Sequence, residues 1–291
     1  MTTTDKKTFM NLTAWQEGEI AGWDRKGESG APSVHFLHGN GLCATTLLPI
    51  GERFPAHWNL LFTDVPGHGE SKQPEGYMPN WLQMARQIAD TLETRIDEPI
   101  YAVGHSMGGV LTLMMAAERP HLFKRIALLD PVLFSQEIIL LQRFMRKTGL
   151  WRRTDLVEKV AARRKQWPDA DSMKQDLSQK SLYRDWHPDA LQAFIQGGTR
   201  TTDTGLELCC APAWEASIFG SYPRGLWEAV KKVDVPVDIF VASKSYNFIA
   251  RSAEKAAKAN PNIQWQMVEG GHCFAMEQPD ATASKLLELL R

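Results

Sequence analysis

Short apolar runs alternate with longer amphipathic ones along most of this chain, which predicts strands separated by helices. Phe9 to Trp15 and Gly18 to Trp23 read as two early strands joined by a turn, an antiparallel hairpin. Ser33 to Leu37 and Trp58 to Phe62 are the next apolar strands. Between them, Ala44 to Phe54 is a helix or an irregular connection limited by Pro49. From Asn80 to Arg95, apolar Trp81, Met84, Ile88 and Leu92 recur at helical spacing. An apolar run bounded by Pro99 and Gly104 then predicts a buried strand, and the longer run Leu111 to Ala117, ending before Pro120, predicts a helix. Arg125 to Leu129 adds one more strand. Strands and helices at this spacing describe a mostly parallel sheet covered on both faces, an α/β fold.

The rhythm breaks after Pro131. From about Leu133 to Gly225 the strand signal disappears and polar, tryptophan-bearing helical segments take over, with Glu137 to Lys147 and Asp155 to Trp167 the clearest. It returns with a strand at Pro236 to Ala242, a helix at Phe248 to Ala259, a strand at Ile263 to Val268 and a last helix from Pro279 to Leu290. Residues 1–132 and 226–291 are therefore expected to form one core, and 133–225 a helical cap inserted between two of its strands. Within that insertion Arg143, Arg146, Lys147, Arg152 and Arg153 are interleaved with Ile138, Leu141, Phe144 and Trp151. The charges read as a solvated face, and some of the apolar residues as a roof over a site.

Composition narrows the partners. The chain has 291 residues, 43% hydrophobic and 23% charged, with a formal net charge of −1. That suffices for a large core and gives no reason to expect nucleic acid. Met1 to Met10 is polar and reads as no secretory signal, and no apolar stretch is long enough to predict a membrane span. Four cysteines, Cys43, Cys209, Cys210 and Cys273, form no C-x-x-C pair, which argues against zinc or a thioredoxin-type motif. They read as free thiols in a reducing cytoplasm.

The candidate chemistry centres on Gly104-His105-Ser106-Met107-Gly108, set between the predicted strand and helix. Two glycines let strand and helix approach while the serine takes a strained turn at a helix N-terminus. A serine hydroxyl is a poor nucleophile without a positioned base. His272, in Gly270-Gly271-His272, follows a late strand and is the candidate base; His121 and His187 are poorly placed. The backbone N–H of Met107 is one candidate oxyanion donor, and that of Asn40 in His38-Gly39-Asn40-Gly41 the other. His38 reads as a loop organiser, His35 as a core histidine, and Asp64 to Ser71 as a compact turn.

With His38-Gly39-Asn40-Gly41, Asp64-x-Pro66-Gly67-His68-Gly69-x-Ser71, Gly104-x-Ser106-x-Gly108 and Gly271-His272 in place, the chain resembles the α/β-hydrolase superfamily in its cap-bearing, esterase- and lipase-like branch. Serine at this strand-to-helix turn, the nucleophile elbow, implies acyl-serine chemistry there, with no metal or cofactor. The resemblance implies an acid that orients the histidine. Relatives often carry it after the strand that follows the cap, but here that strand runs into Ser243-Lys244-Ser245-Tyr246-Asn247, which has no carboxylate. Some place it at the end of the strand before the cap, where Asp130 stands; Asp238 or no acid at all are the alternatives. The expected activity is hydrolysis of a carboxylic ester or thioester of a small-molecule acyl substrate. Carbon–carbon bond hydrolysis, acyl transfer, and a ligand-binding protein that has lost its acid remain open.

Overall fold

The computed structural model describes residues 11–76 and 79–290. The reading of Met1 to Met10, with the Phe9 start of the first expected strand, lies outside them. Strands β1 (Thr13–Glu17) and β2 (Ile20–Arg25) pair antiparallel, with Glu17 opposite Ile20. After β3 (Ser33–Leu37), a 3-10 turn over Ala44–Leu47 and the short helix α1 (Leu48–Gly51) lead to β4 (Asn59–Thr63). Helix α2 (Trp81–Arg95) starts where the Asn80 side chain accepts the Gln83 N–H, and it buries Trp81, Met84, Ile88 and Leu92. Next come β5 (Ile100–His105), α3 (Met107–Glu118) and β6 (Phe123–Leu129).

The segment after β6 differs from its expected form. It holds α4 (Gln136–Thr148), α5 (Asp155–Ala161), α6 (Ala170–Ser178), α7 (Pro188–Gly198) and α8 (Pro212–Phe219). It also holds a three-stranded antiparallel sheet of β7 (Gln166–Trp167), β8 (Thr199–Thr202) and β9 (Gly205–Leu208). The helix expected to reach Trp167 stops at Ala161, because Arg163 turns inward to Glu215 and Trp167 joins β7. Strands of two to four residues are too short for a period to register, so the pattern of the sequence is blind to them.

Helix α9 (Leu226–Lys232), β10 (Val237–Ala242), α10 (Asn247–Ala259), β11 (Ile263–Val268), α11 (Phe274–Glu277) and α12 (Pro279–Leu290) return the chain to the main sheet. Its order is β1-β2-β4-β3-β5-β6-β10-β11, parallel from β4 onward. The alternation of side chains divides the core into two layers. Ile126, Leu128, Ile239 and Val241 pack with Leu111 and Met114 of α3 on one face. Ala127, Leu129, Phe240 and Ala242 pack with Phe62 and Leu286 on the other. Strands apolar on both faces are what a helix-covered parallel sheet requires.

Ser106, Asp130 and the His272 loop all lie beyond the C-terminal ends of their strands, β5, β6 and β11. A concavity of about 840 Å³ lined by Arg25, Asn59, Arg95 and Lys124 opens at the opposite ends, so cavity size does not locate the site. No helix among the described residues is long and apolar enough to cross a membrane.

Candidate active site

The turn from β5 into α3 holds Ser106 at φ 54° and ψ −115°, a left-handed conformation that costs a non-glycine residue energy. Neighbouring glycines make it feasible. A Cβ on Gly104 would fall 2.6 Å from the Gly108 carbonyl, and one on Gly108 would fall 2.3 Å from that of Leu37. Helix and strands therefore touch backbone to backbone, and the Ser106 N–H donates to the Leu129 carbonyl at 3.0 Å.

His272 reaches the serine from the loop after β11, the edge strand of the sheet. Its Nε2 lies 2.9 Å from Ser106 Oγ, and its Nδ1 lies 2.5 Å from Asp130 Oδ2. With the proton on Nδ1 donated to the carboxylate, Nε2 is left as an acceptor for the serine hydroxyl. The histidine backbone is fixed by His105, whose Nε2–H donates to the His272 carbonyl at 3.0 Å. Burial, reinforced by His272, pulls His105 down to about 4, so it stays neutral and keeps a single ring proton for that bond. Asp130 is fully buried while the His272 side chain is 21% exposed, so the imidazole is the member of the set within reach of solvent.

Asp130 also has positive φ, 46°, which turns its carboxylate back toward His272. Oδ1 accepts the Ala242 N–H at 2.8 Å, and Oδ2 also accepts the hydroxyl of Ser245. Sequence reasoning missed Ser245; the only trace of it is a polar turn directly after β10. Asp238 stands elsewhere, near the start of β10, where Arg125 Nη1 donates to it at 3.3 Å.

The turn after β3 lies against the serine. A Cβ on Gly39 would sit 3.0 Å from Ser106 Cβ, which brings the Asn40 peptide beside the nucleophile. No acceptor among the described residues takes the N–H of Asn40 or of Met107. The turn is held from several sides. His38 Nδ1–H donates to the Gly39 carbonyl at 2.8 Å, and its Nε2 accepts the Val65 N–H at 3.0 Å. Burial drives His38 well below the usual histidine range, so its 3.8 Å approach to Asp64 is no ion pair. His68, pulled down to about 4 by burial, accepts the Gly41 N–H at 3.0 Å. Asp64 caps the same loop, its two oxygens accepting the N–H groups of Ala44 and Glu70. In the core, His35 bonds Thr63 Oγ1 through Nε2 at 2.9 Å.

Residues between β6 and β10 close over this turn. The Asn40 amide donates to the Glu215 carbonyl at 3.1 Å, and Trp214 Nε1 donates to the Pro66 carbonyl at 3.1 Å. The Glu215 carboxylate accepts both bonds from Arg163 Nη1, at 3.0 and 2.8 Å, while Arg163 Nη2 donates to the Tyr183 hydroxyl at 3.0 Å. Cys273, next to His272, is pushed up to about 12 by burial, which keeps a thiolate away from the serine. Cys43 is buried against α7. Among the described residues no group of His, Cys, Asp and Glu is arranged to hold a metal ion.

The family model described as alpha/beta hydrolase fold matches residues 32–279. The chain is 28% identical over 270 residues to an esterase of Mycobacterium tuberculosis, covering 90% of this chain and 82% of that protein. It is 33% identical over 105 residues to an (E)-2-((N-methylformamido)methylene)succinate hydrolase of Acinetobacter baylyi; that match covers 35% of this chain and 38% of the relative's length. Among solved structures, a thioesterase domain from the curacin biosynthetic pathway superposes with a TM-score of 0.77 over 96% of this chain and 100% of that one. Its identity is 19%, a likeness of fold alone.

Proposed function

The chain belongs to the α/β-hydrolase fold family, and from that premise we propose that it is a serine hydrolase cleaving a carboxylic ester or thioester of a small-molecule acyl substrate. One observation carries this reading: the unbroken run from Ser106 Oγ through both ring nitrogens of His272 to the buried Asp130 carboxylate, at 2.9 and 2.5 Å. Ser106 Oγ attacks the acyl carbon as its proton passes to His272 Nε2. The N–H groups of Met107 and Asn40 receive the developing oxyanion; in other enzymes each such donor contributes roughly 10²–10³ in rate. His272 returns the proton to the departing alcohol or thiol, leaving an acyl-enzyme on Ser106. A water that gives a proton to the same nitrogen then releases the acid. Asp130 holds the imidazole in the tautomer with Nδ1 protonated and offsets the charge that develops on it.

Residues 133–225 serve in this reading as a cap over Ser106, supported by the bonds of Asn40 to Glu215 and of Pro66 to Trp214. No cofactor is required, and the protein works in the cytoplasm. The succinate-derivative hydrolase among its relatives supports a second reading, cleavage of a bond other than an ester by the same residues. The third, a binding protein without an acid, has less support, because a carboxylate meets His272.

A fluorophosphonate probe tests the proposal. Stoichiometric labelling is expected, with the adduct mapped to Ser106 by mass spectrometry and lost in Ser106→Ala. A folded wild type that resists the probe would overturn it. Assays with p-nitrophenyl esters, acyl thioesters and carbon–carbon-cleavable diketones then separate the readings.

A further inference from the structure

Helix α4 packs Ile139 against the core but is otherwise unusual for a helix facing water. Its inner side buries Arg146, 9% exposed, with the guanidinium 3.9 Å over the Trp151 ring and Nη2 donating to Ser217 Oγ at 3.0 Å. Gln142 buries its Oε1 on the same helix. The outer side instead presents Leu140, Leu141 and Phe144, which are 67%, 59% and 57% exposed. Leu150, just past the helix, and Leu156 are 40% and 52% exposed. Scattered exposed leucines need no explanation, but large apolar residues at i, i+1 and i+4 of one helix face form a patch, and patches mark contact surfaces.

Charge identifies the occupant. Residues 138–154 contain no carboxylate and five basic side chains, of which Arg143, Lys147, Arg152 and Arg153 are exposed beside the apolar stripe. Carboxylates return at the flanks, with Glu137 before the stretch and Asp155 and Glu158 on either side of Leu156. A second copy of the chain docking through a two-fold axis would bring this cluster against itself, so repulsion opposes a dimer here. An apolar stripe rimmed by cations matches a bilayer whose acyl chains lie beneath anionic head groups. We propose that the outer face of α4, with the turn that follows it, adsorbs to an anionic phospholipid surface. The helix begins four residues after Val132, whose N–H donates to the Ser106 carbonyl at 3.4 Å, so docking sets the serine at a fixed aspect to the bilayer. The proposal stands apart from the reading of Ser106.

Cosedimentation of the full chain with vesicles tests it, using phosphatidylcholine alone or with about one-third phosphatidylglycerol. Wild type is expected to pellet with the mixed vesicles at least about tenfold more strongly than with the neutral ones, and to be released by salt. Arg143→Gln with Lys147→Gln should weaken binding roughly 25-fold, about fivefold per charge. Leu141→Glu with Phe144→Glu should abolish it. Circular dichroism and melting of both variants should match wild type, which separates lost adsorption from lost folding. Equal partition to both vesicle types, no pelleting, or pelleting of the Leu141/Phe144 variant would overturn the proposal. So would a dimer in light scattering that this variant dissolves, since a second copy would then own the face. Hydrolysis of a water-soluble ester, run in parallel, reports on Ser106 separately.

Discussion

In the proposed mechanism the chemistry turns on Asp130, whose carboxylate is wholly enclosed and has a donor to each oxygen. Replacing it by Asn keeps the volume but offers an amide N–H where His272 needs an acceptor, which favours the wrong tautomer. Asp130→Asn is expected to lower ester turnover by about 10⁴ with the fold intact, as steady-state kinetics and far-ultraviolet circular dichroism would show. In that mechanism Ser245 acts through Asp130, to which its hydroxyl donates. Ser245→Ala removes one of two donors to Oδ2. It should lower kcat by roughly tenfold with KM little changed, an effect on the scale of one hydrogen bond to a charge. It should also move the low-field proton resonance of His272 Nδ1 in NMR spectra. A changed KM with an unmoved resonance would make Ser245 a packing residue.

The elbow is an element-scale device. Met107 to Glu118 can start directly over Ser106 only because Gly108 lies against the carbonyls of Leu37 and His38, which a Cβ would approach to 2.3 and 2.4 Å. Both neighbours are backbone and cannot swing aside. Gly108→Ala should therefore push α3 off β3 and cost about 1–3 kcal/mol in urea unfolding. It should also displace the Met107 N–H and reduce turnover more than a stability loss of that size would. Between β6 and β10 the stabilising element is an ion pair. Burial pushes the Glu215 carboxyl up while Arg163 pulls against that shift, so the two depend on each other. Arg163→Met should cost about 3–5 kcal/mol by leaving Glu215 buried and unpaired, read as a lower urea midpoint.

Across the whole molecule, four buried histidines tie stability to pH. Burial pulls His35 to about 3 and both His68 and His105 to about 4, and drives His38 well below the usual range. All four are protonated more readily in the unfolded chain. The unfolded state therefore binds more protons between pH 6.5 and about 4, and stability falls as pH drops through that window. Each histidine contributes roughly 1 kcal/mol per pH unit there. Urea midpoints measured at pH 7.5, 6 and 5 should decline steeply below 6.5; a flat profile would mean that these rings are hydrated in solution.

The sequence by itself determined what depends on neighbours along the chain. Apolar alternation marked the main-sheet strands and the helices beside them, and glycines marked where strands end in tight turns. Ser106, Asn40 and His272 could be named as candidates because each follows such an end. Tertiary structure alone decided the rest. Asp130 and His272 are 142 residues apart, and they meet only because β6 and β10 are adjacent, with β11 beyond. No local pattern encodes that strand order. The Ser245 bond depends on the same adjacency. The small sheet of β7, β9 and β8 escaped because its strands are too short for a period to register. The outward face of α4 escaped for another reason: periodicity shows that a helix has two faces, and only packing fixes which of them meets the core.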